Sequence, residues 1–268
     1  MNWLLRERAP IDDEAWGAVD EEVSSALRLF LSARRLVSFS GPHGWDHAAV
    51  GTGRVSPLGG SPVEGVTVSS RDVQRMVELR AAFSLQLTEL EAISRGAIAP
   101  DLAPAQKAAR LIAEAEDRLV YDGSDDAGIA GLVTASPHEP ITLDDDFGAY
   151  PNKVALAVAA MREAGVDGPY GIALGPRCHR GVIATTQHGG YPVLEHIKLI
   201  LGGPVVWAPM VDGAVVVAMD GDQKIVCGQD HSVGFGGHTS DSVELYITES
   251  LTVVNPAPEQ AIALRYDD

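Results

Sequence analysis

Cysteine is scarce in this chain: Cys178 and Cys227 are the two among 268 residues, and no CxxC pair is present. A disulfide-built scaffold and the CxxC-based zinc and redox sites are thereby excluded. Two isolated cysteines read as small core residues, with a single disulfide as the minor alternative. Long apolar runs are also missing, and without eighteen consecutive apolar residues there is no transmembrane candidate. The opening Met1-Asn2-Trp3-Leu4-Leu5-Arg6-Glu7-Arg8 turns charged before any apolar core develops. It is not a secretory signal, and a cytoplasmic protein is expected. Basic residues are in deficit, 20 Lys and Arg against 37 Asp and Glu, for a formal net charge of −17. Sequence-independent binding to DNA or RNA needs the opposite sign, since it draws on counterion release from phosphates. The acid excess favours solubility, and an array of many copies would gather cations. Catalytic signatures are lacking too. No Walker A, GxSxG, HExxH or EF-hand pattern occurs, and Gly51-Thr52-Gly53 lacks the third glycine of a dinucleotide fingerprint.

What remains is an ordinary soluble composition, 46% apolar and 21% charged, in a chain long enough to bury a sizeable core as one large domain or two small ones. Trp16, Val19, Val23, Leu27, Phe30 and Arg34 follow a three-four spacing, which predicts a helix over about 13–35, capped by Asp12 or Asp13. From Val77 to Thr88 apolar and polar residues alternate, predicting a half-buried strand. Pro104 opens a second helix to about Tyr121, with Gly123 as its terminator. Helices over 151–164, 176–186 and 192–201 and strands over 171–175, 205–208 and 214–219 follow, the last two joined through Asp212-Gly213. Val243, Leu245, Ile247, Leu251 and Val253 share one face of a long final strand, which Glu249 interrupts without apparent reason.

Candidate chemistry is thin. His43 and His47 stand four apart but in a Gly-Pro turn, so they read as turn or interface histidines before metal ligands. Cys178-His179 are adjacent and do not face each other on a helix, which gives a buried cysteine and an exposed histidine. Asp144-Asp145-Asp146 could hold Mg²⁺ or Ca²⁺, or form a solvated loop at a helix start. His188-Gly189-Gly190-Tyr191-Pro192 is a mobile loop or a turn before a helix. No catalytic residue, metal ligand or cofactor site is assigned.

The most informative segment runs from Gly41-Pro42-His43-Gly44-Trp45-Asp46-His47 through a Gly/Ser/Pro/Val-rich stretch to Ser70. Its few large apolar residues, Val55, Leu58, Val63, Val66 and Val68, cannot make a core, and an isolated two-stranded arm is marginal in water. Either it is a surface loop, or another copy of the chain orders it. With segments 4–16, 34–54, 79–96, 114–123, 128–132, 164–170, 190–196, 204–217 and 227–255, it resembles the encapsulins, the shell proteins of bacterial nanocompartments.

That resemblance implies an α+β fold like that of tailed-phage major capsid proteins. Residues 1–47 would start a peripheral domain and 48–75 form an extension arm, the E-loop. Residues 76–133 would continue the peripheral domain with a spine helix, 134–224 form an axial domain, and 225–268 supply return strands of the peripheral domain. The implied function is structural: a homo-oligomeric icosahedral shell enclosing a cargo enzyme, a peroxidase or ferritin-like protein, recruited by a targeting peptide. The resemblance places peptide docking at Leu27, Phe30, Leu31, Arg34 and Val37, with Ser38 where some relatives carry a carboxylate. It places a five-fold pore loop at Thr185, Thr186, Gln187, His188, Gly189, Gly190 and Tyr191. Some members stack a flavin on an aromatic residue in the strand after the arm; Thr88 stands there, so no flavin is expected by that route. A viral capsid protein of the same fold is the first alternative, and an enzyme using the 144–191 region the second.

Overall fold

The structure is a computed structural model and describes residues 3–187 and 189–267. Helix α1 (Asp13–Phe30) begins where the Asp12 carboxylate accepts from the backbone N–H of Ala15 at 2.9 Å. It ends five residues earlier than the apolar spacing predicts, and Ala33–Arg35 form a separate 3-10 turn. The cause is the buried Asp117 carboxylate. It accepts from the backbone N–H groups of Ser32 (3.1 Å) and Ala33 (3.0 Å) and from Ser32 Oγ (2.6 Å), which stops the helix.

Beyond it come β1 (Ser38–Ser40), the pair β2 (Ala49–Pro57) and β3 (Ser69–Arg75), and the expected strand β4 (Val77–Gln86). The alternation read through Thr88 ends two residues early, because α2 (Leu87–Ser94) starts there. Leu87, Leu90 and Ile93, three apart, turn one face of this helix into the core. Helix α3 (Ala103–Tyr121) carries Pro104 in its first turn, where a missing N–H costs nothing. A small hairpin, β5 (Gly123–Ser124) and β6 (Ile129–Ala130), leads to β7 (Ile141–Leu143), α4 (Tyr150–Glu163), β8 (Tyr170–Leu174), α5 (Pro176–Ala184), α6 (Val193–Leu201), β9 (Val205–Trp207) and β10 (Ala214–Ala218). The chain finishes with β11 (Lys224–Cys227), β12 (Ser232–His238), β13 (Ser242–Val254) and β14 (Ala261–Tyr266).

Two five-stranded sheets organise these elements. In the first, the thirteen-residue β13 is central. It pairs antiparallel with β4 along one edge and with β12 and β11 along the other, and β1 lies parallel outside β11. The second runs β7-β14-β10-β8-β9. Its β8 and β9 are parallel, as a crossover through helices requires. So β9 and β10, read as joined through Asp212-Gly213, do not pair with each other: β8 lies between them. One further expectation needs correcting. Of the segment 225–268, β11, β12 and β13 do lie in the first sheet, but β14 inserts between β10 and β7 of the second. Its short apolar run Ala261–Leu264 is buried throughout, filling a central position that a solvated edge strand would not.

Packing is continuous. One cluster fills the space between α1, α2, α3 and the first sheet. A second lies between α4, α5, α6 and one face of the other sheet, to which β10 contributes Ala214 and Val216. The alternate residues Val215 and Val217 point the other way, into a third cluster with Leu36, Val37, Val120, Leu251 and Val253, which joins the two sheets. Outside all three stands the ribbon β2–β3, a sheet of its own.

Candidate functional site

Beside α1 a groove of about 500 Å³ is lined by Leu4, Arg6, Val23, Leu27, Leu31 and Arg34, and across from them by Asp230, His231, Ser232 and Val233 at the start of β12. Three of the five proposed docking residues, Leu27, Leu31 and Arg34, line it. The other two do not. Val37 is buried in the cluster that joins the sheets. Phe30 turns to Trp207 of β9, with ring centroids 5.7 Å apart, and to the Arg110 guanidinium at 5.2 Å. The end of α1 accounts for the split: Leu31 is extended and Arg34 lies in the separate 3-10 turn, so the helical spacing that would group Phe30 with Leu27, Leu31 and Arg34 stops at Phe30. The opposing wall at 230–233 was not legible, since nothing local links it to α1.

Arg34 is not a free cation. Its Nε donates to Glu116 Oε1 (2.7 Å), its Nη1 to Asp230 Oδ1 (2.9 Å), and its Nη2 to Glu116 Oε2 (3.0 Å) and to Glu249 Oε1. Glu116 and Glu249 are fully buried, which also explains the carboxylate that interrupts the apolar face of β13. Burial opposes the Arg34 charge, but bonding to Glu116 and the fields of Glu249 and Asp230 keep it firmly protonated. Burial, then the field of Glu116, push the Glu249 carboxyl well above the usual carboxylate range, against the pull of Arg34. Burial would raise Asp230 as well, yet bonds from His231 and Arg34 hold it far below that range. His231 completes the group: its Nε2 lies 3.1 Å from Glu249 Oε2 and 3.5 Å from Glu116 Oε2, and its Nδ1 is 3.4 Å from Asp230 Oδ1.

The loop expected to line a pore is a closed turn. Thr186 bridges to Pro192, and the backbone N–H of Gln187 donates to Tyr191 O at 2.8 Å. Gly189 and Gly190 take φ of +93° and +80°, values that favour glycine. The Gln187 side chain straps the turn down, donating to Gly148 O (3.1 Å) and meeting His196 Nδ1 (2.9 Å). His188 lies outside the described residues.

The remaining candidates have structural partners. Asp144 and Asp146 accept backbone N–H groups within their own turn, and Asp145 binds Arg177 at 2.6 Å. Cys178 is a free, buried thiol against Tyr150 and Tyr266, raised by burial, and Cys227 is also free and buried. The His43 and His47 rings lie 4.9 Å apart in a turn pinned by His43 N–H to Cys227 O (3.0 Å). Gly41 in that turn has φ +134° and no room for a Cβ against Cys227 O. Thr88 is exposed in the first turn of α2, not on a strand.

On the ribbon, Val55, Leu58, Val63, Val66 and Val73 are each between 51% and 62% exposed. No helix among the described residues is long and apolar enough to cross a membrane.

Comparison with known proteins agrees with this architecture. A family described as encapsulating protein for peroxidase matches residues 1–252. A type 1 encapsulin shell protein of Rhodospirillum rubrum is 42% identical over 99% of this chain and 97% of its own length. Among solved structures, a virus-like particle from Pyrococcus furiosus shares the fold with a TM-score of 0.67 at 18% identity, covering 92% of this chain and 98% of its own. The capsid of Myoviridae phage XM1 does so at 0.53 and 10% identity, covering 87% and 90%. The fold is therefore the α+β fold of tailed-phage capsid proteins, and the chain belongs to the encapsulin family of shell proteins.

Proposed function

We propose that many copies of this chain close into a hollow icosahedral shell in the cytoplasm. The shell encloses a cargo enzyme, a peroxidase or a ferritin-like protein, and has no catalytic role of its own. The observation that carries this reading is the ribbon: two strands and the segment that joins them, with five half-exposed apolar side chains and no core, on a capsid fold. A surface of that kind is completed by a neighbour, and contacts between unlike patches close when the rotations do. In this assignment 48–75 is the extension arm. Residues 1–47 and 76–133, with β11 to β13, form the peripheral domain, and 134–224, with β14, form the axial domain. The turn over 185–191 lies at the five-fold pore.

Cargo is held by a short peptide in the groove. Leu27 and Leu31 offer an apolar wall for aliphatic anchors. Arg34 is engaged by buried carboxylates; the exposed Arg28 at the rim pairs with Ser24 (2.8 Å) and the exposed Glu21 (3.1 Å), and an acidic group on the peptide would take the place of Glu21.

Size-exclusion chromatography with negative-stain microscopy tests the assembly. Closed particles of uniform size are expected from the full chain, and none after deletion of Thr52 to Ser69. A stable lone monomer at high concentration, or normal particles without the ribbon, overturns the reading. Leu31→Asp is expected to leave particles intact and abolish loading of a co-expressed peroxidase carrying its own C-terminal tail; unchanged loading removes the groove.

A further inference from the structure

We propose that Glu116, His231 and Glu249 form a binding site for one divalent transition-metal ion of the zinc class, at the back of the groove beside α1. Three observations converge on it. The ligand atoms of these residues lie within 4.8 Å of one another. The separations from His231 Nε2, 3.1 Å to Glu249 Oε2 and 3.5 Å to Glu116 Oε2, bracket the edge of about 3.4 Å expected for tetrahedral ligands about 2.1 Å from a metal.

Second, His231 Nε2 and Glu249 Oε2 are buried without a hydrogen-bond partner, on side chains 6% and 0% exposed. They are close to each other but not aligned for a hydrogen bond. Two buried polar atoms this close, neither bonded to the other, can share a metal ion once the ring proton is on Nδ1. Buried polar atoms left unpaired are otherwise costly.

Third, three carboxyl groups, Glu116, Glu249 and Asp230, face a single guanidinium, so the cluster holds more oxygen donors than Arg34 can engage and has a place for a second cation. An imidazole with two carboxylates suits zinc, manganese or iron better than calcium or magnesium, which take oxygen donors alone. On loading, the ring proton sits on Nδ1 and is taken by Asp230 Oδ1, now 3.4 Å away, in the manner of a carboxylate orienting a metal-bound histidine. Arg34 gives up its 3.1 Å contact to Nδ1 and keeps Glu116.

The ion would tie α3, the start of β12 and β13 into one knot behind the groove. Access is from the groove itself, which Arg34, Asp230 and His231 line.

The test uses the full chain expressed alone, stripped with a chelator and titrated with Zn²⁺ by calorimetry, or with Co²⁺ followed by visible absorption. One ion per chain is expected, with a rise in the thermal unfolding midpoint and a tetrahedral Co²⁺ spectrum. His231→Gln is expected to weaken binding at least a hundredfold, and the double variant His43→Gln/His47→Gln to leave it unchanged. His231→Cys puts sulfur on the ion, so a sulfur-to-cobalt band in the near ultraviolet is expected from that chain even if His231→Gln folds poorly. No stoichiometric ion in the folded wild type, binding that survives His231→Gln unchanged, or a Cys variant that binds Co²⁺ without the sulfur band overturns the site.

Discussion

Arg34, 18% exposed, holds two fully buried carboxylates and the half-exposed Asp230. Removing it strands Glu116 and Glu249 in a medium that cannot solvate them. Arg34→Met is therefore expected to cost about 3–5 kcal/mol, read as a fall in the urea midpoint. Adding Glu116→Gln and Glu249→Leu should recover most of it. A single variant within about 1 kcal/mol of wild type would show that the carboxylates do not depend on Arg34. The cluster was half legible. The alternation of β13 is plain in the sequence, and Glu249 stands out because it breaks that alternation. Its partner is 215 positions away, and nothing in one sequence joins two such positions. The same blindness made Arg34 look available to a ligand, and left Asp230 and His231 unremarked.

At the scale of elements, helices and strands with clean periodicity were legible and their ends were not. Helix α1 stops where a distant carboxylate takes its N–H groups, and α2 was masked because Leu87 continues the strand's alternation while also starting a three-residue spacing. The start of α1 was marked as Asp12 or Asp13, and Asp12 is the cap. That carboxylate accepts from Ala15 N–H and from Ser94 Oγ at the far end of α2, so one side chain fastens two helices. The Ser94 bond, then the Ala15 bond, lower its pKa below 3.8. A lowered native pKa stabilises the fold above the unfolded value and gives that stabilisation up as pH falls through the native one. Asp12→Ala should thus have a lower urea midpoint than wild type at pH 7, and the gap should close as the pH is taken well below 3.8. A gap that is the same at both ends of that range would mean the cap does not act through its charge.

Across the whole molecule, the third cluster decides how many units unfold. Leu36, 1% exposed, packs with residues of both sheets. Leu36→Ala is expected to cost about 2–5 kcal/mol and to lower a single transition, followed by tryptophan fluorescence and far-ultraviolet dichroism together. Two separated transitions would show that the sheets unfold independently. This joint was hidden in the sequence because β14 returns to the second sheet after three strands of the first, and topology of that kind carries no local signal. The ribbon was legible because its signal is a deficit of core-forming residues. It has a consequence for how such a chain must be made. Within the described residues β2 and β3 each pair with one strand only, so a newly synthesised copy offers two open backbone edges beside greasy side chains. Every minute it waits is an opportunity for the wrong strand to attach. Production in bursts dense enough for neighbours to meet quickly is safer than a slow trickle, and clumping, not half-built containers, is the damage that a shortage of companions brings.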